Sequence, residues 1–174
     1  MGINAGGPKS ESITFRLESR ILDNLKKKAK EEKITPNTLV SQIISDYFDW
    51  TMTAIDAGWM VMPKWTMRKV FEMLSQDQII ALADATYQGR KEMLIFMSGK
   101  DDKESFLTLV RIRAKKSGFH LRELEKDGKT TFIYQHDMGR NFSLFSKYLF
   151  EAIMHEYEVE VKLEATDQTV IMLL

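Results

Sequence analysis

The chain of 174 residues has no cysteine, only three prolines and no excess of either charge. Without cysteine there are no disulfides, thiolate metal ligands or thiol nucleophiles. No apolar run reaches the roughly 18 residues that a membrane-spanning helix needs, so no membrane partner is expected. Lys and Arg total 25 and so do Asp and Glu, which makes the formal net charge zero. Nucleic-acid binders often carry a basic surplus. If DNA is a partner here, the cations have to be placed locally. There is no glycine-rich phosphate loop, no HExxH and no G-x-S-x-G, so no enzyme and no cofactor are expected. The opening "MGINAGGPKSE" lacks the apolar core of a secretory signal. We read residues 1–11 as a flexible arm and expect a cytoplasmic protein.

What is present is most informative over residues 12–50. In "SITFRL", Ile13, Phe15 and Leu17 alternate with Ser12, Thr14 and Arg16. Period two predicts a strand with one apolar and one polar face. Ser19 is the expected N-cap of a helix over "SRILDNLKKKAKEE", with Ile21, Leu22, Leu25 and Ala29 on its apolar side. Lys26, Lys27, Lys28 and Lys30 cluster within it. Residues 9–50 hold eight basic and seven acidic side chains, a net of +1. "ITPNT" predicts a sharp turn in which Thr35 caps a second helix and Pro36 takes its first position. That helix carries a wide apolar stripe of Leu39, Val40, Ile43, Ile44, Tyr47 and Phe48. Free N–H groups at Asn37 and Thr38 would suit phosphate. One strand and two helices cannot bury these apolar faces alone, so the unit is expected to be half of a homodimer whose strands pair as a ribbon. A two-stranded ribbon fits the major groove of DNA.

The ordered string "ITFRLESRILDNLKKKAKEEKITPNTLVSQIISDYFDW" resembles a ribbon–helix–helix domain of the MetJ/Arc/CopG class, over about a quarter of the chain. The resemblance implies double-stranded DNA as partner and an obligate dimer. It implies base reading by Ser12, Thr14 and Arg16, and phosphate anchoring at Thr35, Asn37 and Thr38, to which we add Lys27.

Beyond a ribbon–helix–helix unit over 12–58, ended by Gly58, a helical connector is expected over 59–90. It contains the Met- and Trp-rich "WMVMPKWTM" and a helix capped by Ser75 and stopped by Gly89. An α+β domain is expected over 91–174. "MLIFM" reads as a strand or a helix end, and "DKESFLTLVRIRAKKSG" as a helix with Phe106, Leu109, Val110 and Arg113 along one side. A hairpin turns at Asp127-Gly128, a further helix covers "NFSLFSKYLFEAIMHEY", and two strands end the chain. The order β-α-β-β-α-β is a ferredoxin-like layout, with helices on one face of an antiparallel sheet. Nickel-responsive repressors are similar in plan, but their metal site uses a cysteine, so no metal is expected here.

Strand pairing across a two-residue turn sets Leu121 against Tyr134 and Glu123 against Phe132. This gathers the apolar side chains on one face and keeps His120 and His136 apart. His136 and Asp137, at the head of "HDMGRNFS", are the candidate ligand or switch residues. The expected protein is a homodimeric, possibly tetrameric, transcription regulator whose C-terminal domain senses a small-molecule effector or mediates oligomerisation. The alternative is a protein-interaction module, antitoxin-like or an assembly factor, that uses the ribbon for dimerisation.

Overall fold

The computed structural model describes residues 11–174, so most of the expected N-terminal arm lies outside the described residues. The fold is α+β and resolves into two compact units, residues 1–49 and 50–174.

In the N-terminal unit α1 (Ser19–Glu31) and α2 (Pro36–Asp46) form a helical pair. Ser19 is the first helical residue; Glu18 occupies the capping position and makes no side-chain cap. This corrects the expected Ser19 cap. The turn between the helices is tied by bonds from the Lys33 N–H to Lys30 O (3.2 Å) and from the Ile34 N–H to Ala29 O (3.0 Å). Lys33 adopts the left-handed conformation that this closure needs, φ 57°. The expected strand over 12–17 is unpaired within the chain, and residues 11–18 are exposed without secondary structure. A strand exists only against a hydrogen-bonded neighbour, and the described residues supply none for that segment.

A π-helical turn, Tyr47–Thr51, follows α2. The C-terminal unit holds the short α3 (Met52–Asp56), then α4 (Lys64–Met73), α5 (Gln76–Ser98) and α6 (Lys103–Lys116). Next come β1 (His120–Lys126), β2 (Lys129–Gln135), α7 (Arg140–Glu156), β3 (Lys162–Ala165) and β4 (Thr169–Leu173). Ser75 caps α5 and forms a capping box with Gln78. The helix then runs through Gly89 and stops only at Gly99, φ 74°. "MLIFM" is therefore helical. Leu94, 1% exposed, pins that last stretch into the core, and tertiary burial outweighs the weak helix preference of Gly89.

The sheet order is β1-β2-β4-β3, and every neighbouring pair is antiparallel. Two hairpins joined by α7 make this sheet. The antiparallel sheet is as expected; the ferredoxin-like order is not, because its first strand is the end of α5. The first hairpin keeps the expected register, with Leu121 opposite Tyr134 and Glu123 opposite Phe132. Asp127 and Gly128 both have positive φ, 52° and 75°, as the tight turn requires.

Along the inner face Leu121, Tyr134, Val170 and Ala165 stand in one row. Leu121, Tyr134 and Val170, with Phe132, Met172 and Leu163, meet Phe142, Phe145, Leu149 and Ile153 of α7. Burying each such side chain stabilises by about 1.5–3 kcal/mol. Phe71, Ile79, Ala83 and Leu94 join the same cluster, so the expected connector belongs to this core. Of its "WMVMPKWTM" stretch, Trp59 and Met67 pack inward while Met60, Val61 and Trp65 are exposed.

Candidate nucleic-acid interface and candidate switch

In the N-terminal unit the core is small: among the described residues only Ala29 (1%) and Leu39 (7%) are buried. Leu22, Leu25 and Val40 are half-buried, and the other large apolar side chains of the alternating segment and both helices are exposed. Ile13 is 74% exposed and Phe48 58%; Phe15, Leu17, Ile21, Ile43, Ile44 and Tyr47 are exposed as well. Ser12, Thr14 and Arg16 are exposed in the segment before α1, and Lys27 is exposed on α1. Lys28 reaches Glu32 at 3.1 Å, which offsets an acid at the unfavourable end of the helix dipole.

Thr35 caps α2 as expected: its Oγ1 accepts from the Thr38 N–H at 3.1 Å and lies 2.8 Å from Thr38 Oγ1. The Thr38 N–H is thus occupied, which corrects the expectation of a free donor there. Asn37 is exposed in the same first turn.

His136 is 4% exposed. Its Nδ1 accepts from the Met138 N–H at 3.2 Å, so that nitrogen carries a lone pair. The proton therefore lies on Nε2, which donates to Ser143 Oγ at 2.9 Å. Rings of Phe119, Tyr134 and Phe142 surround the imidazole, and burial holds its pKa down at about 4. Asp137 is exposed and pairs with Lys64 at 3.0 Å; that hydrogen bond holds its carboxyl below the ordinary range. Arg140 donates to Ala165 O at 3.2 Å. Asn141 donates from Nδ2 to Phe71 O (2.8 Å) and Leu74 O (3.1 Å), closing the end of α4. The polar side chains His136, Asp137, Arg140, Asn141 and Ser143 of "HDMGRNFS" are thus engaged within the fold. They join α4, β2, α7 and the β3–β4 turn.

Two features lie outside the site residues expected from the sequence. Arg90 of α5 is buried and pairs with Glu156; Asp101 Oδ1 lies 3.9 Å away, and Tyr157 Oη donates to that oxygen at 2.5 Å. Burial works against the Arg90 charge, but the Glu156 carboxylate more than restores it. Burial, then Asp101, raises the Tyr157 phenol. Lys91 Nζ lies 3.7 Å from Asp101 Oδ2, so two cations, Arg90 and Lys91, balance two carboxylates and the cluster is a neutral clamp. Residues 66 positions apart in the chain leave no local signal for it. The second feature is Arg113, which lines a small half-open cavity with Phe106, Leu109, Val110, Tyr134 and Phe150. Its place on the apolar stripe of α6 is visible in the sequence.

Among the described residues no three His, Asp or Glu side chains gather as a metal site, and no helix is long and apolar enough to cross a membrane. No protein-family profile matches the chain, and no curated protein sequence matches it.

Proposed function

We propose that the chain is a homodimeric, sequence-specific DNA-binding transcription regulator. Two copies pair their 12–17 segments into an antiparallel ribbon that enters the major groove. The observation that carries this reading is the imbalance in the N-terminal unit. Among the described residues two side chains are buried, while eight large apolar ones, from Ile13 to Phe48, are exposed. So much exposed apolar surface on so small a unit fits an association site. The alternation in 12–17 fits a ribbon with Ile13, Phe15 and Leu17 inward and Ser12, Thr14 and Arg16 outward. On this reading Arg16 and Thr14 contact base edges, and the Thr35-capped start of α2, with Asn37 and Lys27, meets phosphate. The C-terminal unit senses an effector or mediates further association.

The test is selection of bound sequences from a random duplex pool, repeated at two salt concentrations. A two-fold-symmetric enriched site with steep salt dependence supports the proposal. No enrichment, together with a second polypeptide copurifying in stoichiometric amount, turns the unit into a protein-interaction module.

A further inference from the structure

The strand β4 is apolar on both of its sides. Val170 and Met172 are buried in the core, while Ile171 and Leu173 alternate with them and turn to the opposite face of the sheet. The helices that pack on the sheet are α6, against β1, and α7, against β3 and β4, and they cover the inner face. On the outer face Ile171 lies level with Ile133 of β2, and Leu173 lies level with Thr131 and, one strand further, Leu124. Leu124 is 53% exposed, and Ile133, Ile171 and Leu173 are half-buried; none of the four belongs to the core cluster. An antiparallel sheet with water on its second face ordinarily presents polar residues there. Here the centre of that face is apolar. Its β1 edge carries Arg122 and Lys126, both exposed. On the β3 edge Glu164 stands in the same cross-strand row as Arg122, Ile133 and Ile171. Lys162 pairs with Glu164 at 3.1 Å, so both side chains lie on this face. Val159 and Val161 pack on the core, which turns Glu160 outward, level with Lys126 by the same count. Arg122, Lys126 and Glu160 make no ion pair among the described residues.

We propose that this face docks on the same face of a second copy, about a two-fold axis that runs along the strands. Such an axis exchanges the two edges of the sheet. It sets Arg122 over Glu164 of the second copy and Lys126 over its Glu160, and each pair occurs twice. Ile133 then meets Ile171, and the aliphatic stem of Lys162 covers Leu124. Crossing the two sheets at the usual angle of about 30° moves the ends of a four-strand row by only about 4 Å, within the reach of an arginine. Cations on one edge and acids on the other make the face complementary to itself, which a patch of one sign would not be. Four short strands offer less than the roughly 800 Å² per partner of a standard interface, so the pairing is expected to be reversible. The contact concerns the C-terminal unit alone and stands whether or not the N-terminal unit pairs or reads DNA. If both hold, two dimers join as a tetramer.

The experiment is sedimentation of the full chain from low to high micromolar concentration. Arg122→Glu sets a carboxylate against Glu164 of the second copy, and is expected to raise the dissociation constant about tenfold or more and so to halve the mass. Arg122→Glu combined with Glu164→Arg puts opposite charges face to face again, and should restore the parent's mass. Only a second copy carries both exchanged edges, so a different partner could not produce that rescue. Both positions are exposed, and far-ultraviolet circular dichroism should match the parent in each variant. In an Ile43→Glu chain, altered in the N-terminal unit alone, Arg122→Glu should halve the mass once more, to a single chain. If Ile43→Glu by itself changes nothing, the N-terminal pairing fails, while the effect of Arg122→Glu still decides this one. A parent that sediments as one chain throughout overturns the proposal. So does an Arg122→Glu chain with the parent's mass, and so does a charge-exchanged chain that stays dissociated.

Discussion

At the residue scale, His136 is fixed by two hydrogen bonds, and the one its Nδ1 accepts from the Met138 N–H requires the neutral ring. Its folded pKa, about 4, lies below the ordinary value of 6.5. The unfolded chain therefore takes up the proton first on acidification. Stability is flat above about pH 6.5 and falls as pH drops towards 4, by up to about 3 kcal/mol from this group. Urea unfolding followed across pH 4–7 should show that slope in the parent and a shallower one in His136→Gln. Equal slopes would place the titrating group elsewhere. Asn141 is the second residue with a measurable role. Its amide serves two carbonyls at the end of α4, so Asn141→Ala should cost about 1–3 kcal/mol in the same assay. The exposed Lys64–Asp137 pair should contribute less than about 1 kcal/mol, since solvent screens it. For DNA, Arg16→Ala should lower discrimination between the selected site and random duplex by about 1–3 kcal/mol. Competition binding with no such loss would remove Arg16 from the base-reading set.

At the element scale, four helices close with the same pair of backbone bonds. The pair that follows Ala29 recurs after Ala54, Ala114 and Met154. Two of these closures use Gly58 and Gly118 at the left-handed position; the other two place Lys33 and Glu158 there, at φ 57° and 55°. A side chain in that conformation costs about 1–2 kcal/mol, of which glycine returns part through greater freedom when unfolded. Lys33→Gly and Glu158→Gly should each stabilise by about 0.5–1 kcal/mol in chemical denaturation. The same comparison shows what the sequence discloses. Asp127-Gly128 fixes a two-residue turn, and from it the whole first hairpin register is legible, because a slip would scatter Leu121, Phe132 and Tyr134. The end of α5 is not legible. Gly89 has the chemistry of a stop, and only the burial of Leu94 by distant elements keeps the helix going. Arg113 is conspicuous as a cation on an apolar stripe, whereas the Arg90–Glu156 pair forms between helices far apart in the chain.

At the scale of the whole molecule, the two units differ in self-sufficiency. The C-terminal unit closes its own core around α7, while the N-terminal unit leaves most of its apolar side chains outside. Ile43→Glu, on the open face of α2, should therefore halve the mass seen by sedimentation and abolish DNA binding, leaving the near-ultraviolet signal of the C-terminal unit unchanged. An unaltered mass would mean that this face meets nothing. The eight letters from His136 to Ser143 have a different bearing. Because each of their polar groups is spoken for by a neighbour in the same fold, they behave as a hinge-pin between a helix layer and a sheet. Meeting that string in some other protein would be grounds for inferring a shared architecture, and would say nothing about a shared chemistry.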